Sequence, residues 1–310
     1  MGYHPRIESR EFSSFLTTRT RCSELWFVNN KSLENVILAY GAKYQARYEV
    51  ELFALAIEGN HLQGAARFPN GNRADFMRDF NSSVARAVPR YVADYSGGRL
   101  WGRRYSAEFL PAPEDIEEYF FYTVLQPVQD GLVERISDYP GYNCFHDAVW
   151  GIARTFKIVR WGEYHAAKRH NSRVSSANFT ESVTLRYNRL PGYEHLTQKA
   201  YAKLMQEKLE ARRLKIVAHR RKNGLGFAGQ AALRAIKPGS LPHITKTSTR
   251  YSHRPRVLSI CPKRRARTRA WYFEIYFSYK KASSEFRAGN FEVIFPEGTY
   301  PPRPPPVLPT

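Results

Sequence analysis

The order of two alternating periodicities along residues 11–110 constrains the fold more than any other feature of the sequence. Alternation of apolar and polar residues is typical of half-buried strands, and apolar residues three and four apart are typical of helices. The segments read strand, helix, strand, strand, helix, strand, at residues 11–20, 31–48, 50–58, 61–68, 73–91 and 97–110. Ser32 is the expected N-cap of the first helix. We therefore predict an α+β, ferredoxin-like βαββαβ fold.

An extra helix is predicted directly after this unit. The segment "EDIEEYFFYTVL" (114–125) opens with acidic residues, which suit a helix N-terminus, and we expect it to end near Pro127. Beyond residue 155 the chain becomes basic and richer in Ser, Asn and Pro, so we divide it into a domain at 1–155 and a basic, partly helical C-terminal extension at 156–310. Within the extension we expect a helix, a strand and a polyproline-type tail at 198–222, 270–279 and 300–309.

Positive charge is concentrated in the second half of the chain. Residues 1–150 contain 16 Lys and Arg against 19 Asp and Glu, whereas residues 151–310 contain 32 against 9. Such an asymmetry favours nucleic acid or an anionic membrane surface as a partner. No stretch approaches the roughly 20 apolar residues of a membrane span, and the N-terminus lacks an apolar signal region. Three widely spaced cysteines fit a reducing compartment. We predict a soluble, cytoplasmic protein with no membrane partner.

Four sequence blocks point to a family. They are "ALAIEGNHLQGAARFP", "RADFMRDFNSSVARAV", "GGRLWGRRYSAEFL" and "YFFYTVLQPVQDGLVERISDYPGY". In their order and spacing they resemble blocks of the single-tyrosine HUH transposases, and among these the REP-associated tyrosine transposases. There the first block reads Asn-His-apolar-His, the third Gly-x-x-Trp/Phe-x-x-Arg-Tyr, and the fourth Tyr-x-x-x-Asn/Gln-Pro-Val-x-x-Gly-Leu-Val. The resemblance covers about residues 10–150.

The resemblance implies a nuclease that cuts single-stranded, hairpin-associated DNA through a covalent 5′-phosphotyrosine, with Mg²⁺ or Mn²⁺ as cofactor. His61 and Gln63 fall on two metal-binding positions of the family, Tyr122 on the nucleophile, and Gln126 on a third metal-binding position. Gln63 departs from the pattern, because the family usually has histidine there. Some replication initiators with the same nuclease fold carry His-apolar-Gln.

The predicted secondary structure is compatible with these roles. Residues i and i+2 of a strand share a face, so His61 and Gln63 can converge on one ion. Tyr122 and Gln126 lie four residues apart on a helix and also share a face. An imidazole and carboxamide oxygens are neutral ligands suited to Mg²⁺ or Mn²⁺, so the ion keeps its charge for polarising a phosphate oxygen. No Gly-x4-Gly-Lys-Ser/Thr loop is present, and no nucleotide cofactor is expected.

Several assignments have competing interpretations. Tyr119 also shares a helix face with Gln126, although the spacing of the fourth block selects Tyr122. Gln63 can instead be a hydrogen-bonding strand residue, and Gln126 a C-terminal helix cap. Glu58 precedes the His-apolar-Gln triplet, but an exposed strand end explains it equally, and we leave it out of the site.

Eleven further residues are candidates for contacting DNA. Trp101 is a candidate for stacking on a base, with a buried aromatic as the alternative. The basic residues are candidates for phosphate contacts, with a solvated surface as the alternative. The eleven are Trp101, Arg103, Arg104, Arg212, Arg213, Arg220, Arg221, Lys222, Lys263, Arg264 and Arg265.

These observations predict a metal-dependent transposase, associated with the nucleoid, that binds a short DNA hairpin with its basic half and cuts the adjacent single strand through Tyr122. Three alternatives stay open. They are a DNA-binding protein of the same fold without turnover, a replication-initiator-like nuclease, and an RNA-binding accessory protein. The sequence leaves open whether the protein is a monomer or a homodimer, and whether Tyr122 acts on the metal of its own subunit.

Overall fold

The structure is a computed structural model that describes residues 5–242 and 257–303. The strands are β1 (Ser13–Arg19), β2 (Glu51–Glu58), β3 (His61–Arg67), β4 (Ser106–Leu110), β5 (Arg154–Val159) and β6 (Thr180–Leu185). The helices are α1 (Lys31–Tyr48), α2 (Arg73–Tyr91), α3 (Pro113–Gln129), α4 (Phe145–Trp150), α5 (Trp161–His170), α6 (Gln198–Lys222), α7 (Gln230–Arg234) and α8 (Pro262–Arg287). Beyond residue 303, the predicted polyproline-type tail lies outside the described residues. Across the described ranges, every helix falls short of the length and apolar character that a membrane span requires.

The first four strands form one antiparallel sheet in the order β2-β3-β1-β4. The two-residue Gly59–Asn60 turn joins β2 to β3, whereas α1 and α2 make the two crossovers between parallel strands. These two helices pack against each other and cover one face of the sheet with buried apolar residues such as Ile37 and Phe80. The predicted ferredoxin-like βαββαβ fold is therefore confirmed.

The extra helix α3 covers the opposite face of the sheet. The ring of Phe15 in β1 contacts the rings of Tyr119 and Tyr122, with centroids 5.1 and 5.6 Å apart. Residues directly opposite each other in an antiparallel ladder point to the same face. Phe15 pairs with Ala65 of β3 two steps from Gln63. The odd-numbered residues of β3, including His61 and Gln63, consequently face α3.

Two helix ends differ from the prediction. Asn30, and not Ser32, caps α1, because its side chain accepts a hydrogen bond from the Leu33 amide at 2.9 Å. Helix α3 runs through Pro127 to Gln129. The proline lies in the last turn, where its missing amide removes one bond, and the Asp130 amide bonds back to the Gln126 carbonyl at 2.9 Å.

The strand predicted over residues 270–279 is wrong, because this segment is the middle of α8. Pro262 at the helix start and the basic run that follows begin a helix before the aromatic residues are reached. Tyr272 is buried in a small apolar cluster with Ile7, Phe109 and Val257, while Phe277 on the far side is exposed. A helix therefore buries one stripe of these aromatic side chains and leaves the others at the surface.

The main hydrophobic cluster continues across the predicted domain boundary. Residue 155 lies within β5, and the β5–β6 hairpin packs against α1 through the buried residues Ile158 and Leu185. Helix α6 packs against α3 and α4 and contributes Tyr201 and Met205 to the same cluster. The functional division at residue 155 stays a prediction, but the core that supports the sheet includes residues on both sides of it.

Candidate active site

Strand β3 and helix α3 bring the three predicted metal ligands together. His61 Nε2 lies 3.1 Å from Gln126 Nε2, and Gln63 donates its amide to Gln126 Oε1. All three side chains are buried. The side chains of His61 and Gln63 therefore meet that of Gln126 at one point. The i,i+2 spacing on the strand predicts that the first two share a face.

The imidazole of His61 is held in the neutral form. Burial and the nearby charge of Arg19 lower the pKa of His61 to about 3. Its Nδ1 lies 2.8 Å from Asn60 Oδ1, which makes Nδ1 the protonated nitrogen and leaves the lone pair of Nε2 directed towards Gln126. A neutral imidazole oriented by a hydrogen bond to its other nitrogen is the form that binds a metal ion.

Glu58 is buried beside this cluster, which does not fit the exposed strand end that was the alternative explanation. It lies directly opposite His61 across the β2–β3 ladder and is only 3% exposed. Its Oε1 has no hydrogen-bond partner among the described residues. Burial raises the pKa of Glu58 to about 8. The Oε1 acceptor of Glu58 thus lies next to the predicted ligands without a hydrogen bond. Protonation of the carboxyl or a bound cation would stabilise it there.

Arg19 and Asp130 complete the polar surroundings, and our sequence analysis identified neither residue. Arg19 lies opposite His61 on β1. Burial lowers the pKa of Arg19, whereas the charges of Asp130, Tyr122 and Glu58 raise it. Asp130 Oδ2 lies 3.4 Å from Gln126 Nε2. Asp130 lies four residues after Gln126, and this spacing is the one local signal that could have identified it. The position of Arg19 depends on strand register, which local spacing does not show.

Tyr122 lies one helical turn before Gln126, on the surface of α3. The residue is 39% exposed, so its ring is accessible to solvent. Its ring rests against Phe15 and Tyr119, with centroids 5.6 and 5.7 Å apart. Tyr119 is more enclosed, and burial raises the pKa of its phenol. Of the two candidate tyrosines, Tyr122 is the more accessible and lies within the electrostatic field of Arg19.

The side chains at this point fit a small, hard divalent cation. Within residues 5–242 and 257–303, three or more His, Cys, Asp or Glu side chains do not cluster as metal ligands do. The groups that could hold a cation here are the carboxamide oxygens of Gln63 and Gln126 together with His61. Oxygen ligands supplemented by one imidazole, with the unused Glu58 oxygen nearby, suit Mg²⁺ or Mn²⁺.

The three candidates for DNA contact in the nuclease half differ in exposure. Trp101 packs into the fold, since its ring lies 5.9 Å from Phe27 and its Nε1 donates to the Asn81 carbonyl at 2.9 Å. The ring is partly buried, and base stacking by Trp101 stays a prediction. Arg103 and Arg104 are exposed at the same end of β4 and remain candidates for phosphate contacts.

Most of the predicted basic candidates in the C-terminal extension bind groups of this same chain. Arg212 pairs with Glu118 at 2.6 Å, and Arg264 pairs with Glu114 at 3.0 Å. Three others bind the loop after α3 or a neighbouring acid on α6. These contacts are Arg213 to Glu210, Arg221 to Glu134 and Arg220 to the Gln129 carbonyl. Lys222, Lys263 and Arg265 are exposed and have no acidic partner in the described part of the chain.

No protein-family model matches the sequence, and no curated protein sequence matches it. The chain is similar to two solved transposase structures. One is a REP-associated tyrosine transposase bound to a REP hairpin, with 17% identity, a TM-score of 0.40, and coverage of 47% of this chain and 84% of that chain. The other is a "putative transposase from deinococcus radiodurans r1", with 17% identity, a TM-score of 0.27, and coverage of 34% of this chain and 86% of that chain.

Proposed function

We propose that this protein is a metal-dependent DNA strand transferase of the transposase type. It would cut single-stranded DNA next to a hairpin and rejoin it through a 5′-phosphotyrosine on Tyr122. The observation that carries the proposal is the convergence of His61, Gln63 and Gln126 at one buried point, with an accessible tyrosine one turn earlier on the helix of Gln126. The four sequence blocks support the same assignment.

His61 Nε2, the carboxamide oxygens of Gln63 and Gln126, and the carboxylate of Glu58 are the groups that would hold Mg²⁺ or Mn²⁺. When bound, the ion polarises a non-bridging oxygen of the scissile phosphate. The hydrogen bonds that now join the two glutamines and His61 would be replaced by ligand bonds. Glu58 would lose its proton on binding, and its negative charge would then be satisfied by the ion.

Tyr122 supplies the nucleophile in this proposal. The phenol loses its proton, and the phenolate oxygen forms a bond to phosphorus as the bond from phosphorus to the 3′-oxygen breaks. The departing oxygen takes up a proton and becomes a 3′-hydroxyl. Arg19 places a positive charge near Tyr122, which stabilises both the phenolate and the phosphate. A 3′-hydroxyl reverses the step by attacking the phosphotyrosine, so no nucleotide is consumed.

The test is a covalent-adduct assay. Protein and Mn²⁺ are incubated with end-labelled single-stranded DNA that carries a hairpin from the sequence flanking the gene, and adducts are resolved on a denaturing gel. We expect an adduct that Tyr122→Phe abolishes. Tyr119→Phe is the matched control, because Tyr119 lies on the same helix and touches the same Phe15 ring. An adduct that survives Tyr122→Phe and disappears in Tyr119→Phe would contradict the assignment.

A second candidate is a DNA-binding protein of the same fold without turnover. The hydrogen bond from Gln63 to Gln126 favours it, because each carboxamide already has a partner without any ion. Hairpin binding with no adduct, and no Mn²⁺ binding by electron paramagnetic resonance, would select this candidate. Mn²⁺ binding that His61→Ala abolishes would argue against it, whether or not the correct DNA had been found.

A further inference from the structure

A basic arm projects from the fold outside the nuclease unit. We call residues 154–186, which comprise β5, α5 and β6, the α5 arm. Its strands are fixed to α1 by an ion pair between Lys43 and Glu181 at 2.7 Å and by a hydrogen bond from Gln45 Nε2 to the Arg186 carbonyl at 2.6 Å. Helix α5 itself has no buried residue. The arm therefore has a firmly attached base and a solvated helix.

Most cations of the α5 arm are not neutralised by acids of the described residues, although Arg154 pairs with Asp147 and Arg160 pairs with Glu163. The arm contains seven Lys and Arg and only two acids, Glu163 and Glu181. Both acids are engaged, Glu163 by Arg160 at 2.6 Å and Glu181 by Lys43. Among the described residues, five exposed cations of the arm have no acidic partner. They are Lys157, Lys168, Arg169, Arg173 and Arg186. This distinguishes the arm from α6, where Arg212, Arg213 and Arg221 pair with acids.

The aromatic residues of the arm contact one another and the body of the protein. The Arg90 guanidinium lies 4.4 Å from the centre of the Trp161 ring, and His165 stacks on that ring at 5.7 Å. Tyr164 contacts Phe179 at 6.0 Å and accepts a hydrogen bond from Lys168. Proteins that bind single strands present aromatic rings on which bases stack. Here the aromatic rings are occupied by contacts within the protein. The groups of the arm that can contact a ligand are therefore its exposed cations.

We infer that the α5 arm binds the phosphate backbone of double-stranded DNA, namely the stem of the hairpin whose adjacent strand is cut. The identity of the DNA rests on the proposed function, but the surface and its charge do not. A helix with its side chains is about 10–12 Å across, which matches the width of about 12 Å of the major groove of B-DNA. Lys168 and Arg169 at the end of α5, with Arg173 beyond it, would contact phosphates on the groove edges.

The test is equilibrium binding of the full chain to a fluorescent DNA hairpin at several salt concentrations, with chelator present so that no cleavage occurs. Each phosphate contact contributes about 0.9 to the slope of log K against log salt, so Lys168→Ala with Arg169→Ala should reduce the slope by about two. We expect affinity near 0.15 M salt to fall roughly tenfold. The matched control is Lys280→Ala with Lys281→Ala, which removes the same charge from the exposed end of α8.

Equal slopes and affinities in the two double variants would overturn the inference. So would a loss of affinity for a stemless oligonucleotide as large as that for the hairpin, which would assign the arm to single strands. A loss confined to an RNA hairpin would assign it to RNA. Neither substituted residue of the arm is buried, and equal melting temperatures check that both variants fold. Adduct formation on a stemless oligonucleotide is measured separately, so failure of the nuclease proposal leaves the duplex result interpretable.

Discussion

At the scale of single residues, the β2–β3 hairpin places two oppositely perturbed titratable groups side by side. Burial holds His61 neutral, with a pKa of about 3, and holds Glu58 protonated, with a pKa of about 8. Both residues therefore lack charge near neutral pH when no cation is present. A divalent ion would reverse the state of Glu58 alone, because only the carboxyl gains from losing its proton beside a positive charge.

The raised pKa of Glu58 predicts a stability that depends on pH. Its pKa is raised from 4.5 to about 8, so the folded protein retains a proton that the unfolded chain releases. The contribution is fully present below pH 4.5 and is lost as the pH rises through 8. Glu58→Gln stays neutral throughout. In chelator we expect this variant to exceed the unmodified protein in free energy of unfolding by roughly 5 kcal/mol at pH 9 and to equal it near pH 4.5, by urea denaturation.

His61 affects both proteins equally in this experiment and acts in a different pH range. Its pKa is lowered from 6.5 to about 3, so its contribution is present above pH 6.5 and is lost as the pH falls towards 3. A difference in free energy of unfolding between the two proteins that stays constant from pH 5 to pH 9 would contradict a raised pKa of Glu58.

The family resemblance supplied the three candidate ligands and the candidate tyrosine, and local spacing was sufficient to predict that they share faces, but it was insufficient for the groups around them. His61, Gln63, Tyr122 and Gln126 belong to two short segments whose periodicity fixes which residues share a face. The pKa of Glu58 also depends on a hydrogen bond with Tyr139, which follows α3 and donates to the Ile57 carbonyl of the same hairpin. No spacing within β2 records such a distant neighbour.

At the scale of the elements, the packing of strands β2 and β3 explains why glycine follows the triplet His61-Leu62-Gln63. The β2–β3 ladder contains a bulge between Leu52 and Ala54. Next to this bulge, the Ala54 carbonyl oxygen lies 2.3 Å from the position that a Cβ on Gly64 would take. Only a residue without a side chain allows the two backbones to approach so closely. The strand that carries two predicted ligands therefore depends on this glycine for its position.

We expect Gly64→Ala to lower the free energy of unfolding by about 2 kcal/mol or more, because the added methyl group pushes against backbone and not against a flexible side chain. Gly162→Ala in α5 is the control, since nothing lies within 4 Å of its Cβ position and alanine favours a helix by up to about 1 kcal/mol. Thermal and urea unfolding of both variants measure the difference. Equal destabilisation of the two would show that the bulge does not constrain Gly64.

The elements that sequence predicted correctly are those with one dominant periodicity. Helices α1, α2 and α6 coincide with their predicted segments at 31–48, 73–91 and 198–222. Helix α8 was mistaken for a strand because nearly every residue of its middle is aromatic or apolar, which hides any period. Its position against Phe109 and Ile7 depends on a tertiary contact that no local pattern encodes.

At the scale of the whole molecule, the charge asymmetry between the two halves serves two purposes. Part of the excess in the second half neutralises the acidic start of α3, where Glu117 binds Lys208 and Glu118 binds Arg212. The remainder, including the α5 arm, faces solvent. Net charge by segment therefore predicted an anionic partner, but it did not distinguish the cations that bind this chain from those available to a ligand.

Because the core includes both halves, a chain that ends at residue 155 should not fold cooperatively. It would expose the surfaces of α1 and α3 that Leu185 and Tyr201 cover. We expect calorimetry to show no sharp transition and a hydrophobic dye to bind, whereas a chain that ends at residue 242 should keep its transition. A sharp transition for the shorter chain would mean that the nuclease unit is self-supporting.

The contacts between α3 and α6 have a consequence for how copies of the protein divide the work. Lys208 and Arg212 bind the first half of α3, and Arg220 donates to the Gln129 carbonyl at its end. Because α3 is held at both ends by α6 of its own chain, exchanging α3 with a neighbouring copy would require α6 to move with it. Each copy would then use its own Tyr122, the proposed nucleophile, and the activity per molecule would not fall when the protein is diluted.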